Sequence, residues 1–203
     1  MARSSPLPMT HIDLEPAARR LGALVRAVPD DALDGPTPCP DYRLGDLLEH
    51  VGGLAFAFRA AATKDFTGVT GAGPAGDASR LPPDWRERIP QDLVAMAEAW
   101  RDPEAWTGMT QAGGIDLPGE VAGLVALDEL VVHGWDVARA SGQPYDVEPA
   151  ELEAVRGFVG PMADASPEQR AGLFGPPVAV ADDAPELDRL IGLTGRDPAW
   201  SPG

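Results

Sequence analysis

The fold is decided by residues 119–140, which read GEVAGLVALDELVVHGWDVARA. Drawn as a helix with about 100° between successive residues, this segment has apolar side chains on nearly every side. A helix that is apolar all round is buried among other helices rather than lying on a surface. Gly142 and Pro144 follow and end the segment, because glycine favours helix C-termini and proline cannot continue a helix. The stretch predicts the central helix of a helical bundle.

Three further segments show the helical period. They cover residues 11–28, 43–63 and 84–101. The second is the clearest, because its apolar side chains recur three and four positions apart: Leu44, Leu47, Leu48, Val51, Leu54 and Phe58. No strand–helix alternation long enough for a parallel sheet is present. The sequence therefore predicts an all-α, four-helix bundle.

Smaller elements are expected around the four helices. Residues 102–118 form either a short β-hairpin before the fourth helix or an irregular connection, since glycines separate two short apolar runs there. Two shorter helices are expected at 148–165 and 185–195, on either side of a loop rich in glycine and proline.

Length and charge restrict the class of protein. The chain has 203 residues, which suits one domain. We expect this domain at 11–203, with a disordered start at 1–10 and with 141–203 as a C-terminal extension packed on the bundle. Its 32 acidic and 16 basic residues give a formal net charge of −16. Electrostatic repulsion therefore disfavours nucleic acid and anionic membranes as partners.

The cysteine content and the N-terminus favour a cytoplasmic protein. Cys39 is the single cysteine and cannot form an internal disulfide. We interpret it as a small residue packed in the loop before the second helix; the alternative is a thiol activated by the following helix N-terminus. No apolar run reaches the ~20 residues of a membrane span. The first ten residues contain no apolar block of the kind found in signal peptides.

Polar groups on the fourth predicted helix suggest a metal site. Glu129 and His133 are four residues apart and lie on one face, and Asp136 returns to that face within about 60°. His50 lies at the edge of the apolar stripe on the second helix. Two histidines and a glutamate from facing helices make a three-ligand set with an open coordination position. Such a set suits Zn²⁺ or a similar divalent ion.

Two structural interpretations compete with this metal site. A Glu–His pair at this spacing is often a half-exposed ion pair, and a histidine beside an apolar stripe is often a hydrogen-bonded core residue. Asp128 is the alternative carboxylate ligand, although its helical angle lies on the other side of Val125. Spacing alone leaves these alternatives open.

Four stretches carry a resemblance to a known family. They are residues 37–42 (TPCPDY), 46–51 (DLLEHV), 132–140 (VHGWDVARA) and 193–200 (LTGRDPAW). The first two resemble the opening of the second helix in the mycothiol-dependent maleylpyruvate isomerase N-terminal domain family, within the DinB/YfiT-like superfamily. The last two resemble a group of actinobacterial metal-binding proteins in that family. The similarity runs from about residue 11 to the end of the sequence.

The resemblance implies a DinB/YfiT-like four-helix bundle with a divalent metal at one end. His50 matches the family's histidine on the second helix, and Glu129 and His133 match its acidic–histidine pair on the fourth. Zinc is the first expectation for the metal, with nickel or iron as alternatives, and mycothiol is the expected cosubstrate. The isomerases carry a separate C-terminal domain that this chain does not match, so maleylpyruvate is not carried over as the substrate.

We therefore expect a metal-dependent enzyme that uses mycothiol for S-transfer to, or isomerisation of, a small electrophilic substrate. Its candidate catalytic residues are Asp136, which would orient a ligand or relay a proton, and Arg139, which would meet a substrate carboxylate; Arg59 is the alternative to Arg139. Two other functions stay open. One is a hydrolase that uses metal-activated water, and the other is a non-catalytic bundle that binds a metal or small ligand.

A homodimer is the one protein partner that the sequence suggests. The apolar fourth helix and the tryptophan-rich third helix are the two surfaces from which such an interface could form.

Overall fold

The computed structural model describes residues 11–69, 73, 75–163, 165–170 and 173–202, so the disorder expected at 1–10 lies outside the described residues. The helices are α1 (Glu15–Ala27), α2 (Leu44–Thr63), α3 (Trp85–Ala99), α4 (Gly119–Ser141), α5 (Pro149–Val159), α6 (Pro167–Arg170) and α7 (Glu186–Leu193). Two strands, β1 (Met109–Ala112) and β2 (Ile115–Pro118), precede α4. The all-α bundle with a small hairpin before the fourth helix is therefore confirmed.

The first four helices form the bundle. Helices α1 and α2 each pack against both α3 and α4, which gives the four main interfaces. Their apolar faces meet in one buried cluster, in which the α2 stripe predicted from the sequence is almost wholly removed from solvent. Helix α4 is buried on nearly all sides, as its composition predicts, and Gly142, with a φ of 68°, caps its C-terminal end. Because α2 packs against α4, polar side chains on these two helices face each other.

The segment between α3 and the hairpin is anchored to α2. The indole of Trp100 donates to the carbonyl of Phe58 at 3.0 Å, and that of Trp106 donates to the carbonyl of Trp100 at 2.7 Å. In β1, the hydroxyl of Thr110 donates to the carbonyl of Ala61 at 2.6 Å. The two strands pair antiparallel, with Met109 opposite Pro118 at one end and Ala112 opposite Ile115 at the other. Residues 109–118 are therefore a hairpin, rather than the irregular alternative.

The connection between α2 and α3 returns to the beginning of α2. A carboxylate oxygen of Asp46 accepts from the backbone N–H of Ala78 at 2.8 Å. The carboxylate of Glu49 accepts from the backbone N–H of Asp77 and pairs with Arg80, all at 3.1 Å. These contacts hold residues 77–80 beside the turn of α2 that precedes His50.

After α4, the described part of the chain folds back onto the bundle. Helix α5 packs on α4, and α7 packs on α5. The hydroxyl of Tyr145 donates to the carbonyl of Val131 at 2.7 Å, and the guanidinium of Arg20 pairs with buried Glu151 at 2.5 Å. The helix expected at 148–165 is shorter, since α5 ends at Val159 and a single 3₁₀ turn, Gly160–Met162, follows it. Proline at position 161 is compatible with the first turn of a helix but not with its interior.

The surfaces proposed for a homodimer are used within the chain. Trp85 and Trp100 of the third helical segment are 5% and 2% exposed, and most of α4 is buried. A homodimer stays a prediction. Because these residues are buried within the chain, its interface would have to use other residues. No helix in the described part of the chain is long and apolar enough to cross a membrane.

Two glycines give a matched test of the packing between α4 and Trp106. A Cβ on Gly123 would lie 2.4 Å from the Trp106 ring, whereas a Cβ on Gly157 of α5 would meet no atom within 4 Å. We expect Gly123→Ala to destabilise the fold by roughly 1–3 kcal/mol through overpacking. Gly157→Ala should stabilise it by up to about 1 kcal/mol, because alanine is the better helix former.

Thermal unfolding followed by circular dichroism would measure both effects. A lower melting temperature for the Gly123 variant and an equal or higher one for the Gly157 variant are expected. Equal melting temperatures for the two variants would contradict the close approach of Trp106 to α4.

Candidate metal centre

Helices α2 and α4 bring three candidate ligands together at one place in the bundle. One donor atom from each of His50, Glu129 and His133 lies within 4.8 Å of the other two. The rings of His50 and His133 meet edge to face, with centroids 5.1 Å apart. Donor atoms about 2.1 Å from a tetrahedral ion are roughly 3.4 Å apart, so small side-chain movements would bring all three to ligand distance.

The helical period of α4 accounts for half of this arrangement. Glu129 and His133 are one turn apart, and the Nε2 atom of His133 lies 3.0 Å from a carboxylate oxygen of Glu129. The side chain of Glu129 is 26% exposed and that of His133 is 9% exposed, so the cluster reaches solvent on the glutamate side. His50 comes from α2 and is partly buried beside Tyr42. The centroids of the His50 and Tyr42 rings are 5.0 Å apart.

The second ring nitrogen of His133 is held by Asp136. Its Nδ1 atom lies 2.9 Å from a carboxylate oxygen of Asp136, whose side chain has no exposed surface. Burial alone would lower the pKa of His133, but hydrogen bonds to Asp136 and Glu129 outweigh burial and raise the pKa to about 9. His133 is therefore an imidazolium at neutral pH when no metal is bound, and it donates from both nitrogens.

Asp136 is in turn paired with Arg196 from the C-terminal segment. The Nε and Nη2 atoms of Arg196 donate to the two carboxylate oxygens of Asp136 at 2.7 and 2.8 Å. Burial alone would raise the pKa of Asp136, but Arg196 and His133 hold the pKa below its usual value. The carboxylate therefore stays ionised in the interior, with both oxygens hydrogen-bonded.

Glu129 and its neighbour Asp128 differ in charge. Burial would raise the pKa of Glu129, but the hydrogen bond to His133 keeps that pKa below its usual value. Asp128 is 5% exposed, and burial together with the charge of Glu129 raises its pKa to about 8. One of its carboxylate oxygens has no hydrogen-bond partner among the described residues. Asp128 is therefore mostly neutral at pH 7, and it lies outside the group of three candidate ligands.

The other candidates from the sequence are not part of the group of three donor atoms. Arg139 is exposed, donates to the carbonyl of Pro198 at 3.0 Å, and lies over the ring of Trp135. Its role, and that of Arg59, in binding a substrate carboxylate stays a prediction. The thiol of Cys39 is buried, and burial raises its pKa, which is the opposite of an activated nucleophile.

Sequence reasoning missed the role of Arg196 and the contact between Tyr42 and His50. Both residues lie inside stretches that carried the family resemblance, at 37–42 and 193–200. A buried aspartate on an apolar helix implies a cationic partner, because an unpaired charge is costly to bury. That signal predicts an arginine near Asp136, but it does not say which of the fifteen arginines of the chain it is.

The donor set fits a divalent metal ion. Two imidazoles and one carboxylate are common ligands of zinc and of other first-row ions, and three protein ligands leave a position for a further molecule. Metal-binding histidines usually donate their other ring N–H to a carboxylate or a carbonyl, as His133 does to Asp136. Arg196 donates to the same carboxylate and so holds Asp136 in place behind His133.

Comparison with known proteins identifies the family of the chain. The family model for the mycothiol maleylpyruvate isomerase N-terminal domain matches residues 14–138. Two proteins of Mycobacterium tuberculosis, one from strain CDC 1551 / Oshkosh and one from strain H37Rv, are each 30% identical to the chain over 199 residues. The aligned region covers 93% of this chain and 96% of each relative, and both relatives are named as uncharacterized proteins. No solved structure gives a significant match. The chain belongs to the mycothiol maleylpyruvate isomerase N-terminal domain family.

Proposed function

We propose that the protein binds one divalent metal ion through His50, Glu129 and His133, and that it is a cytoplasmic, mycothiol-dependent transferase or isomerase of a small electrophile. One observation carries the metal site above all others. The Nδ1 atom of His133 is held by the fully buried Asp136, so its Nε2 atom is directed at Glu129 and the His50 ring. Metal-binding histidines usually have a carboxylate or carbonyl behind the second ring nitrogen, as His133 has in Asp136.

The choice of an external thiol rests on two findings. The family is described as a mycothiol maleylpyruvate isomerase domain. The one thiol that the chain itself offers is Cys39, which is buried, has a raised pKa and is absent from the candidate ligand group. Thiol chemistry at this site therefore needs a thiol from a second molecule.

The residues of the chain have distinct tasks in this proposal. When bound, a divalent ion supplies Lewis-acid activation that lowers the pKa of a coordinated thiol. His50, Glu129 and His133 hold that ion, and the partly exposed Glu129 marks the side from which small molecules reach it. Asp136 has no exposed surface and acts by orienting His133, which is the first of the two roles expected for it. Arg139 is proposed to meet a substrate carboxylate, with the exposed part of its guanidinium that does not donate to Pro198.

The proposal predicts the metal content of the purified protein. Protein prepared without chelators should contain about one divalent ion per chain, with zinc expected first and nickel or iron as alternatives. His133→Ala should lose it, because the substitution removes the central ligand. His11→Gln is the matched control, since His11 stacks on Trp106 with centroids 4.7 Å apart and is not one of the ligand group.

Elemental analysis of the three proteins checks this prediction. A wild-type protein that contains no metal, and that takes up none from added zinc, would exclude the metal site. Equal metal contents in the His133 and His11 variants would show that any bound ion is held elsewhere.

The raised pKa of His133 predicts that metal affinity increases with pH. In the metal-free protein the imidazolium persists up to a pKa of about 9, and its proton must leave before Nε2 can bind an ion. Zinc affinity should therefore rise about tenfold per pH unit between pH 6 and 9, because one proton is displaced. Competition titrations against a chromophoric chelator measure this slope. A flat profile would mean that no proton leaves His133 when the ion binds, which would contradict this prediction.

A panel of thiols separates the three candidate functions. The zinc-loaded protein is mixed with a set of small electrophiles and with mycothiol, glutathione or no thiol, and loss of the electrophile is followed. Turnover that requires mycothiol and disappears in His133→Ala is expected. Turnover without any thiol would favour a hydrolase, and metal binding with no turnover in any mixture would favour a non-catalytic bundle.

A further inference from the structure

We propose that Arg196 is a positioning residue of the metal centre, and that the segment after the family-matched region therefore sets the affinity of the site for its ion. Arg196 acts through Asp136, which fixes the ring of His133. The inference rests on the proposed metal site, and it adds that residues 14–138 lack one component of that site.

The contacts form an unbroken chain from Arg196 to the candidate ligands. Arg196 binds both oxygens of Asp136 at 2.7 and 2.8 Å, Asp136 binds Nδ1 of His133 at 2.9 Å, and Nε2 of His133 lies 3.0 Å from Glu129. The side chains of Arg196, Asp136 and His133 are 11%, 0% and 9% exposed. Water therefore has little access to the bonds that join these three side chains.

The two-point contact explains how Arg196 can control a histidine that it does not touch. A carboxylate held by one hydrogen bond can rotate, whereas one held by the parallel donors of a guanidinium is fixed in plane and in direction. Asp136 then presents an acceptor to Nδ1 of His133 in a constant position. This keeps the proton on Nδ1 and leaves Nε2 as the nitrogen that can bind a metal.

A purely structural role for Arg196 would look different. Arg170 shows that role in the same segment: it is 4% exposed, and its guanidinium donates to the carbonyls of Gly175 and Leu193 at distances from 2.5 to 3.1 Å. Arg170 thus joins parts of the C-terminal segment to each other. Arg196 instead connects that segment to a carboxylate on α4, sixty residues earlier in the chain.

The test measures binding of Co²⁺ alone to the full-length protein, by its visible absorption and by competition titration. Arg196→Gln should weaken Co²⁺ binding by about 10–100-fold and change the absorption bands, as expected when the carboxylate behind a ligating histidine loses its support. Arg196→Lys, which keeps the charge but not the two-point contact, should fall between that variant and the wild type. Arg170→Gln should lower the melting temperature and leave Co²⁺ affinity within about twofold of wild type.

A double variant shows whether Arg196 acts through Asp136. In the Asp136→Asn background, Arg196→Gln should cause little further loss of affinity, because the link is already broken. The double variant also removes both buried charges, so it stays informative if Arg196→Gln alone does not fold. Additive losses in the double variant would overturn the inference.

The outcomes separate this inference from the proposed function. If the wild type does not bind Co²⁺, the metal site itself is wrong and the inference falls with it. If the wild type binds Co²⁺ and folded Arg196→Gln binds it equally well, only the inference is wrong. A loss of affinity in Arg170→Gln as large as in Arg196→Gln would also overturn it, because any loosening of the segment would then have the same effect.

Discussion

The negative charge of Asp136 in the interior is the constraint on which the rest of the structure depends. A fully buried carboxylate is stable only when it is paired and hydrogen-bonded, and removing one partner of such a pair typically costs about 3–5 kcal/mol. Asp136 has two partners, Arg196 on one side and His133 on the other. The first partner requires the C-terminal segment to lie against α4, and the second fixes the ring at the centre of the ligand group. The charge of Asp136 therefore affects both the packing of the C-terminal segment and the orientation of His133 in the candidate site.

The surrounding packing keeps this charge network in place. Helix α4 is buried between α1 and α2, with the hairpin segment and α5 along its length. Small residues allow these neighbours to approach closely, since a Cβ on Gly134 would lie 2.6 Å from the hydroxyl oxygen of Tyr145. Gly134 follows His133 directly, so the packing of Tyr145 also restricts the backbone that carries the candidate ligand. Tight packing and the ion pair therefore limit the same turn of α4.

Local periodicity was sufficient to predict the four bundle helices, because each buries an apolar face that repeats in the sequence. It also predicted that Glu129 and His133 would be adjacent, since helix geometry fixes residues four apart. The meeting of His50 with this pair depends on how α2 packs against α4. The position of His50 beside the apolar stripe of α2 suggested this meeting, and the family resemblance supported it. The contact between Arg196 and Asp136 joins an irregular segment to a helix, and no repeating pattern encodes it. The raised pKa of Asp128 likewise results from burial in the folded protein, which no repeating pattern encodes.

The pairing of Asp136 with Arg196 has a consequence for how this chain can change over evolutionary time. The family-matched region ends at residue 138, yet the counter-charge of one of its most buried residues lies at position 196. An exchange of C-terminal segments that replaced this arginine would leave Asp136 with His133 as its remaining partner in the interior. Asp136 and Arg196 therefore depend on each other across the boundary at residue 138 that similarity to the family defines.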